Sequence, residues 1–152
     1  MFAWSVDRIE LVDGIDHYVV KSGDREIYWR VKDLAYAMDK VKGEIVTRYV
    51  PQAPWREWPL SSGQAWTWTA RREDAKAHAA SDMMYNCRIE AEESLAVPAG
   101  IFQTFKIRCV EQRSRRFREE WYAPAVKNWV RERRQLDYGI QERELISLKV
   151  RQ

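Results

Sequence analysis

The chain of 152 residues has few of the residues that build most catalytic and metal centres. It holds 2 cysteines and 2 histidines, too few for a disulfide framework or a metal cage, so we expect no metal and no other cofactor. Its 6 glycines stand apart from one another, which excludes the glycine-rich phosphate loops. The motifs G-x-S-x-G, S-x-x-K, C-x-x-C and H-E-x-x-H are also absent. The sequence therefore predicts a protein that is not an enzyme.

Long apolar runs are missing as well. None approaches the roughly 20 residues that a membrane-spanning helix needs, so we expect no transmembrane segment. No basic and apolar leader precedes the strand-like sequence at residues 2–6. Two alternatives stay open: an intracellular protein, or a mature chain whose leader is not part of this sequence.

Charge of one sign is not in large excess. The 26 lysines and arginines against 23 aspartates and glutamates give a net charge of +3, which excludes a polyanion-binding tail. Apolar residues make up 45% and charged residues 32% of the chain, as in a folded globular protein. The length is right for one core, and we predict a single β domain over residues 1–152.

Short segments rich in Val, Ile, Tyr, Trp and Thr lie between the glycines, and they alternate with a period of two residues. Such alternation is typical of half-buried antiparallel strands. The predicted fold is mainly β, a strongly curved antiparallel sheet or incomplete barrel with little helix. A proline-rich crossing is expected at 51–60, and a polar connection with at most one helical turn at 72–80. Strands are predicted at 3–12, 15–21, 26–31, 34–39, 44–50, 65–71, 117–122, 129–134 and 144–150, with a further hairpin whose arms include 83–92 and 104–109.

The histidines and paired carboxylates were weighed as acid–base groups. His17 beside an aspartate is typical of a surface histidine, and His78 in the polar connection is expected to face solvent. Two acids at suitable spacing can hydrolyse glycosides. However, basic residues surround both acidic pairs, so we predict cross-strand ion pairs on a solvated sheet face. These pairs are Glu90 with Glu92, which share the wet face of one strand, and Glu119 with Glu120.

Seven arginines form a basic cluster that raises the hypothesis of nucleic-acid binding. Glutamates interleave with them throughout, and a dedicated binder has a cleaner positive face. We therefore expect no nucleic-acid partner. The arginines are Arg113, Arg115, Arg116, Arg118, Arg131, Arg133 and Arg134.

Four tryptophans gather at the proline-rich crossing and the strand after it: Trp55, Trp58, Trp66 and Trp68. They form the candidate ligand-binding site, as the lining of an apolar cavity or as a surface platform for a sugar or peptide. The alternative is that these large rings fill the core of a curved sheet. In either case we predict that Trp66, Trp68 and Trp121 are largely buried, because each lies on an alternating strand with apolar neighbours on the same face.

The two cysteines lie on opposite arms of the predicted hairpin, on its apolar face. If the numbers of opposed residues sum to 196, Cys87 faces Cys109, but Arg88 then faces Arg108. If they sum to 198, Glu90 meets Arg108, and the cysteines are only diagonal neighbours. The charge pattern favours the second register. We therefore predict two buried, adjacent and unbonded thiols.

Several segments resemble patterns of a bacterial family. Residues 97–107 match the hairpin V-P-A-G-x-F-x-x-x-K-[IV], and residues 120–131 resemble [YE]-W-Y-[AS]-P-x-V-x-x-x-V-[KR]. Residues 59–66 match P-L-x-x-G-x-x-W, and residues 144–148 are similar to a terminal E-L-V-S-Y strand. These patterns, in the same order, recur in a family of uncharacterised exported bacterial proteins, a domain of unknown function. One departure is Lys127, where many relatives carry glycine.

The resemblance implies a strongly curved antiparallel sheet in the bacterial periplasm or envelope, and it carries over no catalytic residue. Pro98 and Gly100 suit a tight turn, with Phe102 tucked beneath it. The predicted function is a non-enzymatic binding or assembly module of an envelope protein, whose partner is another envelope protein. The alternative is a carrier of an apolar ligand in a tryptophan-lined cavity.

Overall fold

The computed structural model describes residues 5–145, which form eleven β-strands and no helix. Alternating side chains and isolated turn residues account for this all-β architecture. The strands are β1 (Ser5–Val12), β2 (Ile15–Ser22), β3 (Arg25–Arg30), β4 (Tyr36–Val41), β5 (Glu44–Ala53), β6 (Ala65–Asp74), β7 (Ala79–Val97), β8 (Gly100–Glu111), β9 (Phe117–Ala123), β10 (Asn128–Leu136) and β11 (Gly139–Glu144).

Each strand pairs with the next one along the chain, in the linear order β1 to β11. Short turns favour this meander, because antiparallel neighbours need only a tight connection. The fold-class prediction, an antiparallel β-sheet with little helix, is confirmed. Bulges interrupt several ladders, including those between β1 and β2 and between β7 and β8. A bulge bends its strand and increases the local twist, which supplies curvature from within the strands.

Most predicted strands agree with the observed ones to within about two residues at each end, and there are three larger differences. No helical turn forms at 72–80, because β6 continues to Asp74 and β7 begins at Ala79 after a short turn. Strand β5 continues through Pro51 to Ala53, beyond the predicted end at residue 50. The last described strand is Gly139–Glu144, whereas most of the predicted strand at 144–150 lies outside the described residues.

Two turns confirm the local reasoning about the V-P-A-G hairpin and its neighbour. Gly100 has a φ of +142°, and a Cβ built on it would lie 3.7 Å from the Phe102 ring, which is tucked beneath the turn. Lys127 has a φ of +54°. Left-handed backbone favours glycine. The lysine therefore adopts the conformation that glycine would adopt more easily at this position.

The contacts divide the described chain into two compact units. The first unit comprises residues 5–58 and 68–84, and the second comprises residues 59–67 and 85–145. A hydrophobic cluster of Val19, Tyr28, Ala37 and Met38 lies in the first unit. The buried apolar side chains of the second include Ile89, Ile107, Tyr122, Val130 and Leu145.

A single domain over the whole chain remains a prediction, and cooperative unfolding tests it. Because strands β6 and β7 each contribute residues to both units, we expect one unfolding transition in urea. Tryptophan fluorescence and far-ultraviolet circular dichroism should give the same midpoint and slope. Two separated transitions would show instead that each unit folds by itself.

Candidate functional site

A groove of about 500 Å³ opens on one face of β6, β7 and β8 in the second unit. Strand alternation explains which side chains reach it. Asn86 is opposite Val110, and Arg88 is opposite Arg108, so these two pairs lie on the same face. Thr67 Oγ1 donates a hydrogen bond to Asn86 Oδ1 (2.9 Å). The full lining is Ala65, Trp66, Thr67, Asn86, Cys87, Arg88, Glu90, Arg108 and Val110.

A disulfide joins β7 to β8 beside the groove. Cys87 is directly opposite Cys109, and their sulfur atoms are bonded. The prediction of unbonded thiols is therefore wrong, as is the register on which it depended. In the observed register, the sum of opposed residue numbers is 196 at the cysteines, and Arg88 faces Arg108.

The error came from treating the hairpin as if it were alone. Arg108 finds its carboxylate on the next strand, where Glu119 of β9 is directly opposite and 3.3 Å away. A bulge between Ile89 and Ala91 then shifts the pairing by one residue. The bulge leaves Glu90 within 3.5 Å of Lys106 and 3.9 Å of Arg108, so ion pairs form without the predicted register.

The same bulge separates the two acids that were predicted to share a wet face. Ile89 pairs with Ile107, whereas Glu92 pairs with Phe105. Since Ile107 and Phe105 are two residues apart, Ile89 and Glu92 lie on one face of the sheet. Glu90 lines the groove on the other face. The prediction that Glu90 and Glu92 share one face of the strand is therefore wrong.

Glu119 is the centre of the charged face next to the groove. Its carboxylate lies 3.3 Å from Lys106, 3.3 Å from Arg108 and 3.5 Å from Arg133. The predicted cross-strand ion pairs are present, but Glu119 and Glu120 are both buried, so they do not lie on a solvated face. The Glu119 side chain is shielded from solvent by its cationic partners, whose long apolar stems cover the sheet.

Trp121 is also covered by cationic side chains. Its ring is 5% exposed, and it lies under Lys106 Nζ (5.4 Å from the ring centroid) and Arg131 Cζ (4.8 Å). Its Nε1–H donates to Glu93 Oε1 (2.6 Å). The predicted burial is confirmed for Trp121, and also for Trp66 and Trp68. However, the neighbours that bury Trp121 are cations over an aromatic face, whereas the sequence analysis expected apolar ones.

A second ionic cluster occupies the opposite face of β9, β10 and β11. Arg118 contacts Glu120 (3.2 Å) and Glu132 (2.9 Å), and Arg143 also pairs with Glu132. Burial raises the pKa of Glu132, but the positive charges of Arg118 and Arg143 outweigh it, so the pKa lies below its ordinary value. The pKa of Arg118 is raised, because its two carboxylate partners outweigh the effect of burial. Both groups therefore stay charged.

The candidate tryptophan site is placed as follows. Trp55 and Trp68 pack edge to face in the first unit, with ring centroids 4.8 Å apart. They end a series of edge-to-face contacts that runs from Trp29 through Tyr36 and Tyr49. Trp58 is half-exposed and donates its Nε1–H to the Asp33 carbonyl (2.7 Å). Trp66 lines the groove of the second unit. A ligand site made of all four remains a prediction.

One of the two histidines is buried and the other is exposed. His17 is buried, which corrects the prediction of a surface histidine. Its Nδ1 lies 2.9 Å from the Ile15 carbonyl, and its ring makes an edge contact with Tyr28. Strand pairing explains the burial, because His17 lies on the same face as Val19 of the first unit's core. His78 is exposed in the turn before β7, as predicted.

Sequence reasoning missed the groove although it named some of its residues. The alternation of β7 placed Asn86, Arg88 and Glu90 on one polar face, which was the available signal. The sequence did not show which residues of β6 and β8 lie beside this face of β7. Among residues 5–145, no group of three or more His, Cys, Asp or Glu side chains is arranged to hold a metal ion. The same residues contain no helix that could cross a membrane.

No protein-family model and no curated protein matches the chain. Solved structures give weak likenesses. A candidate lipoprotein from Parabacteroides distasonis is 16% identical, with a TM-score of 0.47, over 96% of this chain and 86% of that one. The hypothetical lipoprotein YmcC from Escherichia coli is 13% identical, with a TM-score of 0.42, over 93% and 80% of the two chains. Likenesses this weak assign neither a fold family nor a function, so the family resemblance of the sequence motifs stays a prediction.

Replacing Glu132 with Gln tests the buried ionic cluster. The folded protein holds the pKa of Glu132 below its ordinary value of 4.5. Its carboxylate therefore stabilises the fold above about pH 4.5, and this contribution is lost as the pH falls through the folded pKa. At neutral pH we expect Glu132→Gln to lower the free energy of unfolding by about 3–5 kcal/mol. Below pH 4.5 the difference should shrink, as measured by urea unfolding across the pH range.

Glu142→Gln is the matched control. Glu142 also pairs with an arginine, Arg131, but it is exposed, so its loss should cost less than about 1 kcal/mol at any pH. Equal costs for the two variants would contradict the assignment of a stabilising buried cluster.

Proposed function

We propose that the protein is a non-enzymatic binding module of the bacterial envelope, and that a polar ligand lies in the groove over β6, β7 and β8. The groove itself carries the proposal. It is open, and its polar side chains Thr67, Asn86, Arg88 and Arg108 converge on it from three adjacent strands. A few convergent polar groups in a concave surface are typical of a ligand site.

The state of the carboxylates supports binding rather than catalysis. A general acid needs a raised pKa and a reachable substrate. Glu90 and Glu119 instead form ion pairs with lysine and arginine side chains at 3.3–3.9 Å. Glu132 is buried among arginines with a lowered pKa. These arrangements suit fixed charges that hold a surface in shape.

The disulfide supports the envelope location. Such bonds form and persist in oxidising compartments such as the bacterial periplasm, and they are rare in the cytosol. The Cys87–Cys109 bond joins two directly opposed residues within the β7–β8 ladder. This agrees with the exported family that the sequence motifs resemble.

The alternative function, a carrier of an apolar ligand, needs open space between the tryptophans. Trp55 and Trp68 instead fill the space between them by direct edge-to-face contact. Tyr49 continues that contact on the other side of Trp68. The packing of these rings favours the polar groove as the binding surface.

Cysteine labelling tests the proposed location. Protein isolated from the envelope fraction of its own host, denatured without reductant, should accept no alkylating groups, and two after reduction. The variant Cys109→Ser should accept one under either condition. Two labels on the unreduced wild-type protein would contradict an oxidised envelope protein.

Native mass spectrometry of protein purified from its own host tests the binding role. We expect a retained ligand whose added mass disappears in Thr67→Trp, because a large ring at this position fills the groove. Thr69→Trp is the matched control, since Thr69 is exposed on the same strand, two residues along, and is not a lining residue. An added mass that survives Thr67→Trp, or the absence of any, would count against the groove as the binding surface.

A further inference from the structure

Two arginines stand directly opposite each other in the groove. Arg88 of β7 and Arg108 of β8 are paired in register, and both line the groove. Like charges opposed across an antiparallel pair destabilise a sheet, as opposite charges stabilise it. The opposed pair of arginines is therefore unfavourable unless another interaction offsets the repulsion.

The neighbouring disulfide keeps the two arginines opposed. Cys87 and Cys109 are the adjacent pair on the same two strands. A shift of two residues would place Glu90 opposite Arg108 and relieve the repulsion, but the covalent bond excludes it. The like-charged pair is thus a fixed feature of the oxidised protein.

The two guanidinium groups differ in their surroundings. Arg108 is oriented by Glu119 (3.3 Å) and by the Phe117 ring, whose centroid lies 4.5 Å from its Cζ, and the Glu90 carboxylate lies 3.9 Å away. Arg88 is exposed, and its guanidinium group has no hydrogen-bond or ion-pair partner among residues 5–145. One arginine is therefore already held in place, and the other has its N–H donors available.

We propose that Arg88 and Arg108 together bind an oxyanion, a carboxylate or phosphate group of the ligand in the groove; this inference rests on the proposed function. Guanidinium groups match the planar geometry of such groups and form charge-assisted hydrogen bonds with them. A bound anion between the two arginines offsets their repulsion. Since Arg108 already has Glu119 and Glu90 as carboxylate neighbours, the charge that the anion newly neutralises is mainly that of Arg88.

Two further lining residues shape the site. Asn86 Oδ1 accepts hydrogen bonds from Thr67 Oγ1 (2.9 Å) and Gln112 Nε2 (3.2 Å). The Asn86 NH₂ group has no acceptor among residues 5–145, so it is available to donate to a ligand. Glu90 acts in the opposite sense, since its carboxylate repels an anion, although Lys106 at 3.5 Å neutralises part of its charge.

Titration with inorganic phosphate, and separately with acetate, tests the site in the oxidised full-length protein. The Nε–Hε signals of the arginines are followed by nuclear magnetic resonance. We expect the signals of Arg88 and Arg108 to shift and saturate with at least one of the two anions. Arg88→Gln should weaken that binding by about tenfold or more. Glu90→Gln should tighten it by removing the repelling charge.

Arg72→Gln is the matched control, because Arg72 is an exposed β6 arginine outside the groove lining and its loss changes the net charge equally. Its affinity for the anion should equal that of the wild-type protein. If the Arg88 signal does not shift, or if Arg72→Gln weakens binding as much as Arg88→Gln, the oxyanion site is wrong.

Different experimental results would contradict the oxyanion site and the proposed function. A native ligand that is displaced by Thr67→Trp but carries no acidic group would keep the groove and overturn the oxyanion site. A native ligand that stays bound to the Thr67→Trp variant would contradict the groove as the binding surface, even if phosphate shifts the arginine signals.

Discussion

The covalent bond between Cys87 and Cys109 is the constraint on which the second unit depends. It closes a loop with a sequence separation of 22 residues, which stabilises the fold by about 3 kcal/mol in the chain-entropy account. That exceeds what any one cross-strand charge pair supplies, about 0.2–1 kcal/mol. The bond therefore decides the register against the hairpin's own charge pattern. The positions of Arg88, Arg108 and Glu90 around the groove follow from it.

The rest of the charged face adjusts to that register. Glu119 of β9 gathers Lys106, Arg108 and Arg133 around one buried carboxylate. The stems of these long side chains cover apolar surface, and Trp121 is buried beneath cations. Burying a carboxylate is costly unless it is paired. The sheet meets this cost at Glu119 and Glu132 by surrounding each of these buried acids with several cations. Arg88, which lines the groove, is not part of this network of ion pairs.

The features that could be predicted from the sequence are those set by local chemistry. Alternation along a single strand placed most strands, and Gly100 with Phe102 formed the expected turn. Non-local pairing decided the rest. The bulge after Ile89 separates Glu90 from Glu92, and no pattern within β7 indicates it. Likewise, Arg108 pairs with Glu119 on a third strand, so two strands considered alone gave the wrong register. The groove was missed for the same reason, because its lining comes from three strands at once.

The register of β7 against β8 is the central claim, and nuclear Overhauser contacts between α-protons measure it directly. In antiparallel sheets, directly opposed residues of non-hydrogen-bonded pairs bring their backbones closest together. The account predicts strong α-proton contacts between Cys87 and Cys109 and between Ile89 and Ile107 in the oxidised protein. A strong contact between Ile89 and Cys109 would place Glu90 opposite Arg108. That result would contradict the opposed arginine pair and, with it, the proposed oxyanion site.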